Sequence, residues 1–188
     1  MKKVIILIVL LSTVLFGCKN TSAPEFDNEP YKENTKQFIL QIPQFYLDDK
    51  GSVDFVNSVE KIYADLERKG EVGKLFGDSN LELEIGLMNG KFFEKDSVIG
   101  IAVFVANNSG KDIDSFSMDM ELQMEGYPKA NISSKNVEFE HEMVGTMKSH
   151  SIMPLKVLLP CQNFKPTKTE FSSKEMQIIL KNIKVNYH

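Results

Sequence analysis

The stretch FSMDMELQM, residues 116–124, decides how the rest of the chain is read. Phe116, Met118, Met120, Leu122 and Met124 occupy every second position, and Ser117, Asp119, Glu121 and Gln123 fill the gaps. Successive side chains of a strand point to opposite faces, so one face here is wholly apolar and the other wholly polar. That pattern is a half-buried strand. Its register places Met120 in a core and Asp119 in water, where exchange for Asn should cost little.

Similar segments lie on either side. Leu81, Leu83, Ile85 and Leu87 alternate with Glu82 and Glu84, and Asn89-Gly90 after them reads as a turn. Ser97 to Ala106 (SVIGIAVFVA) is nearly continuous in apolar and β-branched residues and fits a central strand. Asn107 to Gly110 (NNSG) breaks it. Asn131 to Glu140 is a weaker strand carrying Ile132, Val137 and Phe139. Ser151 to Leu159 and Met176 to Tyr187 supply two more. Short strands with turn signals between them predict a mainly β chain, an Ig-like antiparallel β-sandwich. The absence of Trp and of a bridging Cys pair argues against an antibody-type core.

Ahead of the strands, Val53 to Lys69 carries Phe55, Val56, Val59, Ile62, Tyr63 and Leu66 at helical intervals. One amphipathic helix is expected there, ended by Gly70. Its polar face mixes acids and bases without a basic excess, so it reads as a cover for the following sheet and not as a membrane-surface helix. Lys36 to Ile42 is a short strand candidate.

With 188 residues, 42% hydrophobic and 26% charged, the chain suits one domain plus a small annex. Two Cys exclude a disulfide scaffold, and a net charge of −4 argues against a general nucleic-acid binder.

The first residues carry an address. Lys2 and Lys3 precede an apolar run from Val4 to Phe16, the pattern of a secretory signal. Leu15-Phe16-Gly17-Cys18 resembles the lipobox of bacterial lipoproteins, with an aliphatic residue at −3, a small residue at −1 and then Cys; Phe16 at −2 departs from the small residue common there. The resemblance implies that the peptide before Cys18 is removed, that the Cys18 thiol is acylated, and that the protein is held at a membrane of the bacterial cell envelope, outside the cytoplasm. The mature chain would then hold 20 basic and 26 acidic side chains, a formal −6. Lys19 to Thr35 has a linker composition. The expected organisation is a signal peptide over 1–17, a lipidated tether over 18–35, a strand-helix annex over 36–77 and an Ig-like sandwich over 78–188.

Val98 to Leu122 (VIGIAVFVANNSGKDIDSFSMDMEL) resembles the first strand pair of an adaptin-ear type Ig-like domain, also similar to bacterial envelope sandwich domains. Val144 to Met147, followed by Ile152 to Leu159, resembles the approach to a late strand of that domain. The resemblance implies a fold and carries over no binding residue.

Candidate chemistry is sparse. His141 lies among Glu138, Glu140 and Glu142, but on a strand the three carboxylates share one face and His141 takes the other, so the segment reads as a solvated edge. His150 has no triad companion, and His188 is expected to be mobile. Met118, Met120, Met124, Met143, Met147 and Met153 could form a thioether cluster for Cu(I), yet three of them share the apolar face with Phe116 and Leu122, as core residues do. No phosphate loop is present, and Cys161 has no His beside it to activate it. No catalytic residue, metal site or cofactor is assigned, and an enzyme is not expected.

What remains is a lipid-anchored, non-catalytic module that binds or assembles with a protein partner. An envelope inhibitor or immunity-type lipoprotein is the alternative, since an acidic chain suits a basic toxin or hydrolase. Loops at the ends of a sandwich carry recognition. The candidates are Asn107 to Ile113, with Lys111 and Asp112 as contacts that tolerate exchange, and Glu125 to Asn131.

Overall fold

The computed structural model of the chain describes residues 38–76 and 80–188. Asn34–His188 is one compact unit. The lipobox with Cys18, the signal and the tether lie outside the described residues. In chain order the elements are β1 (Ile39–Leu40), α1 (Gln44–Asp48), α2 (Val53–Arg68), α3 (Val72–Phe76), β2 (Leu83–Phe93), β3 (Val98–Asn107), β4 (Ile113–Met124), β5 (Asn131–Phe139), α4 (His141–Val144), β6 (Ser151–Gln162), β7 (Glu170–Ser172) and β8 (Met176–Tyr187). The fold is mainly β and sandwich-like.

One hydrogen-bonded path runs β7-β2-β3-β6-β5-β4-β8 and is antiparallel throughout, with β1 added parallel to β6. Between β6 and β5 the path turns a corner on two rungs, Asn131–Gln162 and Ile132–Cys161. One layer is therefore β7-β2-β3-β6, and the second is β5-β4-β8. Ile99, Ile101, Val103 and Val105 of β3 meet Phe116, Met118, Met120, Leu122 and Met124 of β4 in the core between them. The apolar face read in residues 116–124 is that core face. Met147 and Met153 are buried with it, whereas Met143 is exposed.

The unbroken apolar run of β3 has a simple cause: both of its faces are covered. Phe104 and Ala106 point the other way, into a second cluster with Ile152, Phe38, Val59, Tyr63, Val72 and Phe76. There α2 lays the face predicted for it, and Tyr63 Oη donates to the Phe38 carbonyl at 2.6 Å. Each large side chain fully buried this way contributes about 1.5–3 kcal/mol. Three further short helices accompany α2, where the sequence predicts one helix.

Asn89-Gly90 is not a turn. Both residues sit inside β2, paired to Ala102 and Ile101 of β3 and to Ser172 and Phe171 of β7, just after a bulge between Leu87 and Asn89. The glycine leaves room for a neighbour: a Cβ on Gly90 would lie 2.8 Å from Met176 Sδ, and that side chain would have to shift. The hairpin turns instead at Glu94–Asp96, closed by Ser97 in the left-handed region at φ 51°.

Two more bulges repair parities that alternation alone cannot satisfy. Ile132 and Phe139 of β5 are seven positions apart, yet both are buried. Asn136 at φ 50° inserts the extra residue. On β8, Asn182 at φ 52° does the same, so that Leu180 before it and Val185 after it both pack on the core. Asp119 of β4 holds both bulges. Its Oδ1 accepts the Asn136 N–H and its Oδ2 accepts from Asn182 Nδ2, each at 2.8 Å. Asp119 faces outward as predicted, but it is a strut between three strands and not an idle surface group.

The backbone of β6 meets different neighbours along its outer edge. Ile152 accepts the Gln41 N–H at 2.9 Å, and Lys156 donates its N–H to Tyr46 Oη at 2.8 Å. Even-numbered residues of β6 turn this way, because backbone groups of alternate residues point to opposite sides. Two of those positions are Pro154 and Pro160, which have no N–H.

Between β7 and β8, Ser172 and Glu175 form a capping box. The Glu175 carboxylate accepts the Ser172 N–H and hydroxyl, each at 3.0 Å, and pairs with Lys168. The Lys168 ammonium first, and the Ser172 donors after it, lower the Glu175 pKa from 4.5 to about 2. A carboxyl held low in the folded state stabilises it fully above its unfolded value, and that contribution is lost as pH falls from there through about 2. An NMR titration should find the Glu175 midpoint near 2, and Lys168→Met should raise it. An ordinary Glu midpoint in the native chain would refute this cluster.

Candidate functional site

Asn107 ends β3 and begins the loop to β4. Its side chain is fully buried. Nδ2 donates to the carbonyls of Lys111 at 2.7 Å, Lys148 at 3.1 Å and Met147 at 3.3 Å. Oδ1 accepts from the Ser109 N–H at 3.0 Å and the Ser109 hydroxyl at 2.7 Å. One amide thus folds its own loop and ties it to the segment before β6. Gly110, at φ 74°, lets the chain reverse.

Asp112 fastens the same two segments from outside. Its Oδ1 accepts the Ser149 N–H at 2.9 Å and its Oδ2 pairs with Lys148 Nζ at 2.8 Å. Its own carbonyl accepts the His188 N–H at 3.1 Å. The Lys148 ammonium first, then the Ser149 N–H, hold its carboxyl below the usual carboxylate range. Gln41, from the chain beyond β1, adds a clip, donating to the Thr146 carbonyl at 2.8 Å and accepting the Lys148 N–H at 2.9 Å.

Asp114 gathers the histidines of this end. His188 Nδ1 lies 3.0 Å from its Oδ1, His141 Nδ1 lies 3.5 Å from the same atom, and the Thr146 hydroxyl donates to it at 3.1 Å. Contact with His188 is the first cause of its lowered pKa. His141 is not on a strand edge with the three glutamates: β5 stops at Phe139, α4 starts at His141, and its partner is Asp114. His188 makes one backbone and one side-chain contact, to Asp112 and Asp114. His150 touches Ser149 Oγ through Nδ1 at 2.8 Å. Among the described residues, no group of three or more His, Cys, Asp or Glu side chains is placed to hold a metal ion.

The two residues read as contacts therefore differ. Lys111 is exposed, with its Nζ 5.0 Å from the centre of the Tyr187 ring. Asp112 is half-buried and structural, so exchanging it would loosen the loop, contrary to the tolerance expected of it. The second candidate loop, Glu125 to Asn131, lies at the far end of β4. Twelve strand residues, about 40 Å at roughly 3.3 Å each, separate it from Lys111, and the two loops cannot form one site. Cys161 is half-buried; burial pushes its thiol up to about 11, the reverse of an activated nucleophile.

A cleft that the periodicities do not announce lies between α2 and the outward face of β2, β3 and β6. It encloses about 650 Å³ and is lined by Phe55, Ile62, Phe93, Gly100, Ala102 and Leu158, among others, with Lys156 at its side. The small residues Gly100 and Ala102, set in an otherwise bulky run, were the sequence signal for it. Comparison with protein-family models, with curated proteins and with solved structures finds no match.

Proposed function

We propose that the chain is a lipid-anchored protein of the bacterial cell envelope that holds a protein partner and performs no chemistry of its own. Acylation at Cys18 fastens it to the membrane, outside the cytoplasm, and the loop end around Lys111 meets the partner. The observation that carries this reading is the way that end is built. A buried Asn107, an outer strut at Asp112 and the Gln41 clip fix the backbone of three chain segments, while Lys111 stays exposed above them. A surface ordered before binding loses less conformational entropy on association.

Two measurements on the exported full chain test the two halves. Labelling with a fatty-acid analogue should mark the protein and should vanish with Cys18→Ala; equal labelling of the variant would end the anchoring claim. A photo-crosslinking residue in place of Lys111 should trap a protein partner in the envelope, whereas the same residue at Lys95, on the opposite hairpin turn, should not. Equal trapping at both positions would remove this loop end as the contact.

A further inference from the structure

The cleft between α2 and the sheet shows an apolar site with one cation that no close ion pair holds. Its floor is made of small residues: a Cβ on Gly100 would meet Phe93 at 3.1 Å and Leu158 at 3.2 Å, so these two side chains already lean over the glycine. Both remain in water, Phe93 at 41% and Leu158 at 64% exposure, the latter among the most exposed large apolar side chains of the described residues. Phe55 and Ile62 of α2 form the opposite wall. A volume of about 650 Å³ lies inside the range of roughly 300–1,000 Å³ typical of small-molecule sites.

The charges at the rim select the ligand. Lys91 is answered by Glu170 at 3.9 Å. Lys156 makes no such pair: its Nζ stands 4.2 Å from the centre of the Phe55 ring and 5.7 Å from that of Tyr46, no carboxylate among the described residues comes within 4.0 Å of it, and the more distant Asp49 carboxylate feels its charge without bonding to it. An ammonium resting on aromatic faces at the side of an apolar cleft keeps its attraction for an anion. Asp54, on the same rim, disfavours a second negative charge.

We propose that this cleft binds a small amphipathic monoanion, a free single-chain carboxylate, with its apolar body over Gly100 and Ala102 and its carboxylate on Lys156. The site is independent of the lipid anchor and of the loop end around Lys111, so it stands or falls separately from the function proposed above.

Decanoate below its micelle concentration is the probe, titrated calorimetrically into the full chain. Saturable binding of one molecule per chain is expected, at least about tenfold tighter than decanol, the same chain without the charge. Lys156→Gln should weaken decanoate about tenfold and leave decanol unchanged. Leu158→Glu, at an exposed wall position that folding does not require, should weaken decanoate by more than about tenfold with an unchanged melting temperature. Four results would overturn the proposal: no saturable binding, equal affinity for decanoate and decanol, indifference to either substitution, or tighter binding of the dianion decyl phosphate.

Discussion

Met120→Asp should lower the free energy of unfolding by more than about 4 kcal/mol, a large fraction of a typical domain's stability. Met120 is 1% exposed, between Met118 and Leu122 on the face that meets β3. A carboxylate there has no cation or donor within the core, and an unpaired buried charge carries the largest penalty a single side chain can impose. Met120→Leu keeps the apolar volume and should cost less than about 1.5 kcal/mol. Urea denaturation of the two variants reads the difference. Near-equal midpoints would mean that β4 is inverted, since a slip of one residue exchanges its faces.

Asn107→Asp should be nearly as severe, at more than about 3 kcal/mol. The substitution removes both Nδ2 hydrogens and turns a carboxylate oxygen towards the carbonyls of Lys111, Met147 and Lys148. Asn107→Ala removes the donor without adding the charge and should cost about 2–3 kcal/mol, the scale of a buried acceptor left unpaired. Hydrogen exchange adds a local reading. The Ser109 and Ile113 amides should lose protection in Asn107→Ala before the centre of β4 does, because both belong to the structure that Asn107 gathers. Uniform loss across the chain would show that the loop end is not a separate unit.

How far these elements were legible in the sequence depends on what sets each one. The face of β4 could be read residue by residue, because one side meets the core and the other meets water. The helix α2 could be read for the same reason. By contrast, β3 shows no alternation, and only its length and β-branched content marked it as central. Asn89-Gly90 misled because the dipeptide favours turns locally, whereas here β3 and β7 claim its backbone from both sides and Met176 needs the space above Gly90. The bulges at Asn136 and Asn182 were visible only as broken parity in weak strands, and nothing local linked them to Asp119. At the loop end, the run Asn107 to Gly110 announced a turn. That Asn107 is buried, and that it binds a segment forty residues on, depends on a contact between distant parts of the chain. Lys111 and Asp112 look alike as exposed loop residues in sequence. Lys148 and Ser149, brought up beside Asp112, make the difference. The cleft belongs to neither α2 nor the sheet alone, so no single period could reveal it.

The outer edge of β6 bears on how the molecule behaves among other proteins. An open strand edge offers its amides as a template on which another chain can add and continue the sheet, the first step of aggregation. On β6 the donors of that template are interrupted. Ile152 is taken by the chain beyond β1, Pro154 has nothing to donate, Lys156 is spent on Tyr46, and Pro160 is again silent. A foreign strand arriving there finds no run of two consecutive donors. A strand as apolar as SIMPLKVLLP can therefore run beside that edge without offering a continuous row of donors for sheet extension.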